Sequence, residues 1–191
     1  MSPARRRVLP VFLALILAAV LHPSEALARD TEKTWEVGGY AVVTRLSQGT
    51  SIDTGTGWGA RGGYHIKATQ EFEGSFDTYS AGNQDVSGIN YDITKIRADF
   101  LRIFFIKGHE KMIPFASFGV GTMTVDDGSA KDDTVLLGFG GGFKYWVKPR
   151  GGFRLDVKMD RWHDDDRVVG RNSFFLMNIT LRTTFLIDDA K

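Results

Sequence analysis

The sequence predicts an all-β fold: an eight-stranded, antiparallel, up-and-down transmembrane β-barrel. Three observations predict it. The chain starts like an exported protein. Apolar and polar residues then alternate with a period of two over most of its length. The intervals between the alternating stretches are short and long by turns.

The start comes first. Arg5, Arg6 and Arg7 precede an apolar run from Val8 to Leu21, followed by Ala26-Leu27-Ala28. Basic, apolar and small residues in that order form a secretory signal. The expected cleavage lies between Ala28 and Arg29, so residues 1–28 are read as the signal and 29–191 as one barrel domain. The apolar run is shorter than the ~20 residues that a spanning helix needs, which disfavours an uncleaved anchor. The full chain has 24 basic and 23 acidic residues, and three of those arginines sit in the signal. The rest is close to neutral, so no nucleic-acid partner is expected. Cysteine is absent, which leaves no disulfide framework, thiol chemistry or lipid-modified N-terminal cysteine. No second long apolar run follows Leu21, so a membrane-embedded mature protein would have to be a barrel.

The strands follow in order. The first is expected at about 34–44 and carries Glu36. In the second, Trp58, Ala60, Gly62 and Tyr64 face away from Arg61 and His65. In the third, Phe72, Gly74 and Phe76 oppose Glu71, Glu73, Ser75 and Asp77. In the fourth, Ile96, Ala98 and Phe100 oppose Lys95, Arg97 and Asp99. Arg102 falls on the apolar side of this strand, which implies either that it snorkels to an interface or that a bulge flips the phase. The fifth strand, at about 113–124, alternates poorly, and its faces are not assigned. The sixth sets Val135, Leu137, Phe139, Gly141, Phe143 and Tyr145 against Thr134, Leu136, Gly138, Gly140, Gly142 and Lys144. The seventh is the clearest: Phe153, Leu155, Val157 and Met159 alternate with Arg154, Asp156, Lys158 and Asp160. The eighth sets Phe175, Met177, Ile179, Leu181, Thr183 and Phe185 against Leu176, Asn178, Thr180, Arg182 and Thr184. Glycine is abundant at 22 residues and falls inside these stretches. Helices would be weakened there by about 1 kcal/mol per glycine.

Short connections are expected at 66–68, 107–112 and 148–150, and long polar ones at 47–55, 80–91, 126–133 and 163–171. Short turns at one end and long loops at the other are the outer-membrane arrangement. The charged face holds Arg61, Lys95, Arg97, Lys144, Arg154, Lys158 and Arg182 against Glu36, Glu71, Glu73, Asp77, Asp99, Asp156 and Asp160. Equal numbers suit a shared interior, where unpaired charge is costly. A soluble lipocalin-like barrel, the alternative, would turn this face outward. Two aromatic belts are expected: Trp58, Tyr79, Tyr91 and Trp162 at the outer ends of strands, and Trp35, Tyr64, Tyr145, Trp146 and Phe185 at the periplasmic ends.

The runs Ile113-Pro114-Phe115 to Gly119-Val120-Gly121, Leu137 through Trp146, and Gly152 through Val157 resemble the second half of the small outer-membrane β-barrel domain of opacity-type and OmpX-like proteins. The resemblance implies insertion by the barrel-assembly machinery, which reads a terminal aromatic. Here Phe185 is followed by Leu186, Ile187 and a polar tail, so the signal is expected at Phe185 or Ile187.

Little chemistry is legible. Some small barrels modify lipid A with a His, a Ser and an acid, but His65, His109 and His163 lie far apart and lack a neighbouring Ser. No catalytic, cofactor or metal residue is assigned, and a lipid-modifying enzyme is kept only as an alternative function. Asp126-Asp127 with Asp132-Asp133, and Asp164-Asp165-Asp166, are candidate cation-bridging loops. A narrow interior filled by charge is packed rather than open. The expected role is structural or surface contact, not general porin activity. Expected partners are outer-membrane lipids, lipopolysaccharide, and a host, phage or envelope component reached through the loops.

Overall fold

The computed structural model describes residues 32–46, 54–82, 90–106, 111–162 and 174–188. The expected cleavage site at Ala28–Arg29 lies outside them. Eight strands follow one another: β1 Thr34–Leu46, β2 Gly55–Lys67, β3 Gln70–Gly82, β4 Asn90–Ile103, β5 Met112–Asp126, β6 Lys131–Lys148, β7 Gly151–Trp162 and β8 Phe174–Asp188. Each pairs antiparallel with the next, and β8 returns to β1 to close the barrel. Closure leaves no sheet edge, so the strands satisfy one another's backbone groups without water. Register shifts occur at His65/Lys67 and Trp146/Lys148, next to the two tightest turns.

Alternation sorts the side chains inside out. Phe118, Trp58, Ile96 and Val135 are about 60% exposed or more, while Glu36, Glu71, Lys144 and Asp160 are fully buried. A lipocalin-like barrel has the opposite distribution. An apolar exterior that runs around the whole sheet is far larger than the patches soluble monomers expose.

The structure corrects several expectations. The fifth strand acquires faces: Ile113, Phe115, Ser117, Met123 and Val125 point inward, and Ala116, Phe118 and Val120 outward. It reads poorly because most of its inward side chains are themselves apolar. Tyr79, Tyr91 and Trp146 leave the belts and are buried inside. The reason is the period of two: Trp146 follows outward Tyr145, and Tyr79 shares the parity of inward Asp77. Trp58 at one end, and Trp35, Tyr64, Tyr145 and Phe185 at the other, face outward or partly so; the side chain of Trp162 lies outside the described residues. The connection expected at 126–133 is a tight hairpin, because β5 and β6 pair as far as Asp126 and Lys131. Gly128, at φ 84°, supplies its left-handed position. Arg102 is exposed on the outer face, with no register shift along β3–β4. No bulge flips it inward.

Candidate functional site: the barrel interior

The interior has three layers. At the long-loop end, Tyr40, Val42, Tyr79, Ala81, Tyr91, Ile93, Met123, Val125, Leu136 and Leu176 form an apolar cap. At the short-turn end, Leu101, Ile103, Ile113, Phe115, Trp146 and Leu186 form another. All fourteen charged residues of the inward face are buried, and they fill the space between.

The lower part of this network centres on Glu36. Its carboxylate accepts hydrogen bonds from Arg61 and from Lys144 Nζ at 2.6 Å, and meets His65 Nε2 at 3.0 Å. Lys144 Nζ also donates to Glu71 Oε2 at 2.8 Å. Glu73 is the hub at mid-height. Arg61 donates to it at 2.7 Å, Arg154 at 2.5 Å and Arg182 at 3.2 Å. Asp156 pairs with two of these arginines, with Arg154 Nη2 at 2.7 Å and Arg182 Nε at 2.9 Å. Higher up, Lys158 Nζ joins Asp99 at 2.8 Å and Arg97 joins both Asp99 and Asp160. Lys95 Nζ lies 3.6 Å from Asp77 and 3.7 Å from Asp160. The network is continuous, so no charge is left to bear its desolvation alone.

Sequence reasoning set His65, Asn178, Thr180 and Thr184 on the charged face but did not count them, or Tyr40, in the network. His65, Asn178, Thr180, Thr184 and Tyr40 take part: Asn178 bridges Lys95 and Asp160, Thr180 accepts from Arg182 Nε at 3.0 Å, and Tyr40 donates to Asp77. For Tyr40 the missed signal is its inward parity, shared with Glu36; for the other four it is that uncharged polar side chains can join a charge network. Glycine makes the room. A Cβ at Gly63, Gly119 or Gly138 would collide with the carboxylates of Glu71, Asp99 or Asp160. Rings close the layer: Arg182 lies over Tyr40 at 4.0 Å and Arg154 over Phe115 at 4.2 Å, within cation–π range.

A cavity of about 10 Å³, lined by residues that include Asp77, Lys95, Lys158 and Thr180, interrupts the packing. That is room for about one water. Ligand atoms of Glu36, His65 and Glu71 converge within 4.8 Å of one another. The Lys144 ammonium and the Arg61 guanidinium already neutralise these carboxylates. A divalent ion would add charge to a balanced cluster, so the donor set does not fit a metal.

The acidic hairpin is engaged with itself. Asp126 Oδ1 accepts from Gly128 N, and Asp127 Oδ1 accepts from Ser129 N and Ala130 N at 2.8 and 2.7 Å. The Ala130 and Ser129 amides hold the Asp127 carboxyl below the usual range. Asp126 also pairs with exposed Lys131 at 3.0 Å. His109, His163 and Asp164–Asp166 lie outside the described residues.

The barrel has known counterparts. Neisserial surface protein A is 16% identical, with a TM-score of 0.58 over 79% of this chain and 96% of that one. OprG of Pseudomonas aeruginosa is 12% identical, with a TM-score of 0.58 over 86% of this chain and 100% of that one. Ail, the attachment invasion locus protein of Yersinia pestis, is 15% identical, with a TM-score of 0.53 over 82% and 100%. At such identities the likeness is one of fold. No curated protein sequence matches the chain. The family model described as the outer membrane protein beta-barrel domain matches residues 12–175. With an apolar exterior, a closed eight-stranded sheet and this match over most of its length, the chain belongs to the outer membrane β-barrel domain family.

Proposed function

We propose that this outer-membrane barrel serves envelope structure and surface contact rather than solute passage. It is exported by a signal cleaved after Ala28, and its long-loop end faces outward from the cell. The observation that carries the reading is the filled interior. Two apolar caps flank a neutral charge network, and the cavity that the described residues of this network line has room for about one water. A conducting barrel instead keeps an aqueous lumen. Contact with partners then falls to the loops, and insertion to the machinery that reads Phe185 or Ile187.

The charge at the long-loop end narrows the partner. Among the described residues it carries Asp92, Asp126, Asp127, Asp132 and Asp133, against Lys131, Arg161 and, next to the end of β1, Arg45. One solved form of Ail is a complex with the heparin analogue sucrose octasulfate. A polysulfated ligand would meet like charge on the described part of this rim. The acidic rim favours a cationic surface, or lipopolysaccharide phosphates bridged by divalent cations. The test is a liposome-swelling assay with small sugars, run beside binding of whole cells to cationic and anionic surfaces. No swelling, with cation-dependent binding that disappears when the loops are trimmed, is the expected result. Swelling that follows solute size would overturn the proposal.

A further inference from the structure

We infer that Arg102 and the shallow apolar groove beside it hold an anionic phospholipid of the inner leaflet, its phosphate on the guanidinium and one acyl chain along the groove. This inference rests on the membrane orientation proposed above. Arg102 is exposed on the outer face of β4, and its side chain has no ion pair or hydrogen bond with any described residue. On the outward face of the strands the carboxylates among the described residues are Asp92, Asp126 and Asp133, all at the opposite end. A bare cation on a lipid-facing wall is costly, and it is relieved by an anion at the interface.

The surroundings have the shape of a chain-binding groove. The row that starts at Arg102 continues through Ala116 on β5 and Gly141 on β6. Both are small. Above them runs an aromatic row, Phe72, Phe100, Phe118 and Phe139. Below them lie Phe104, Pro114 and Phe143, with the Phe104 amide bonded to the Pro114 carbonyl at 2.9 Å. Arg102 is the penultimate residue of β4, whereas Gly141 lies mid-strand in β6. The groove therefore climbs from the short-turn interface toward the bilayer centre over two strand spacings, about 10 Å. A phosphate at its foot and an acyl chain along its length match a lipid standing in the inner leaflet. Exposed Lys67 and Lys148 at the same end add to the positive potential, against Glu32 as the exposed carboxylate there among the described residues.

The full chain, folded in phosphatidylcholine nanodiscs doped with phosphatidylglycerol, is released and its retained lipid identified by native mass spectrometry. Phosphatidylglycerol should be enriched over its share of the bilayer. Arg102→Gln should lower the enrichment about fivefold, the size expected for one basic residue near an anionic surface. Ala116→Phe should lower it too, by filling the groove without changing charge, while Lys148→Gln should leave most of it. Excess inorganic phosphate should not displace the lipid. Displacement by phosphate alone would make Arg102 a free-anion site and overturn the proposal, as would unchanged enrichment in Arg102→Gln. A preference for lipopolysaccharide over phosphatidylglycerol would also overturn it, by placing the occupant in the other leaflet. All variants are checked for folding by heat-dependent gel migration. A chain that stays folded and monomeric without detergent or lipid would sink the membrane reading itself. A chain that inserts normally but shows no enrichment would sink this inference alone.

Discussion

Asp156 and Val157 are neighbours on β7 that face opposite solvents, and exchanging their character tests which side of the wall is dry. Asp156 is 1% exposed and Val157 is 42% exposed. The Asp156 carboxylate accepts from Arg154 Nη2 at 2.7 Å and Arg154 Nε at 3.0 Å, and Arg182 Nε stands 2.9 Å from its other oxygen as an ion pair. Asp156→Ala strips two buried guanidiniums of a partner. Breaking a buried pair from one side costs about 3–5 kcal/mol. Here both arginines keep Glu73, at 2.5 and 3.2 Å. The expected loss is therefore at the lower end, about 3 kcal/mol. Asp156→Asn keeps the shape and some hydrogen bonding, and should cost less. Val157→Arg should cost about 2–4 kcal/mol if the outer face meets lipid at mid-bilayer. The assay is urea unfolding in phospholipid vesicles, followed by tryptophan fluorescence. A near-zero effect of Asp156→Ala, in a protein that stays monomeric and folded without detergent, would refute the assignment of inside and outside.

Other outcomes follow from the same structure. Mass spectrometry of the outer-membrane form should find Arg29 first; intact Met1 in the inner membrane would reject the export reading. Gly138→Val should destabilise by about 1–3 kcal/mol through overpacking against Asp160 and Arg97, whereas Gly62→Val, where a Cβ meets nothing within 4 Å, should be tolerated in the same unfolding assay. Lipid A acyl profiles should be identical with and without expression; a change that disappears in His163→Ala would restore the enzyme alternative. Asp127 should titrate below the ordinary carboxylate range by NMR, because the Ser129 and Ala130 amides favour its ionised form. The sign follows: its contribution to the hairpin is present above the unfolded-state pKa and is lost as pH falls through the lowered one.

The wall was more legible in the sequence than its filling. On β7 from Phe153 to Asp160, and on β3 from Glu71 to Asp77, charged or polar residues alternate with apolar ones and glycine, so parity alone assigns both faces there. On β5 it does not, because Phe115 and Phe118 are equally apolar yet point to opposite sides. The inward one packs a cap and the outward one meets lipid, and a transfer scale values both alike. The aromatic belts misled for a related reason. Tyr79, Tyr91 and Trp146 lie at strand ends, where belts occur, but they also serve as cap residues. Strand position suggested the belt, and parity decided the side. The hairpin at 127–130 was hidden by composition: its aspartates read as a solvated loop, yet they tie the turn's own amides.

The three-layer interior also bears on why charge is kept at all. A well-packed apolar core of the same volume is often as stable as a buried ion network, or more so. In this barrel, however, the outer face must be apolar to meet lipid. If the inner face were apolar too, a strand would pair almost equally well after a one-residue slip, since slipping exchanges the two faces. Charge on the inward face makes such a slip expensive: it would carry Arg154, Asp156, Lys158 and Asp160 into the bilayer together. The caps complete the arrangement. By covering both ends they leave Glu73 and Asp156, among the described residues, the guanidiniums and Lys158 as their charged partners, so each strand must hold its register for the network to close. The same reasoning orders two of the predictions. Damage inside, as in Asp156→Ala, should lower stability with register intact. A double change that makes β7 apolar on both faces, Asp156→Leu with Lys158→Leu, should instead yield heterogeneous pairing, visible as multiple bands in heat-dependent gel migration. A single sharp band from that double variant would show that register is held by something other than the charges.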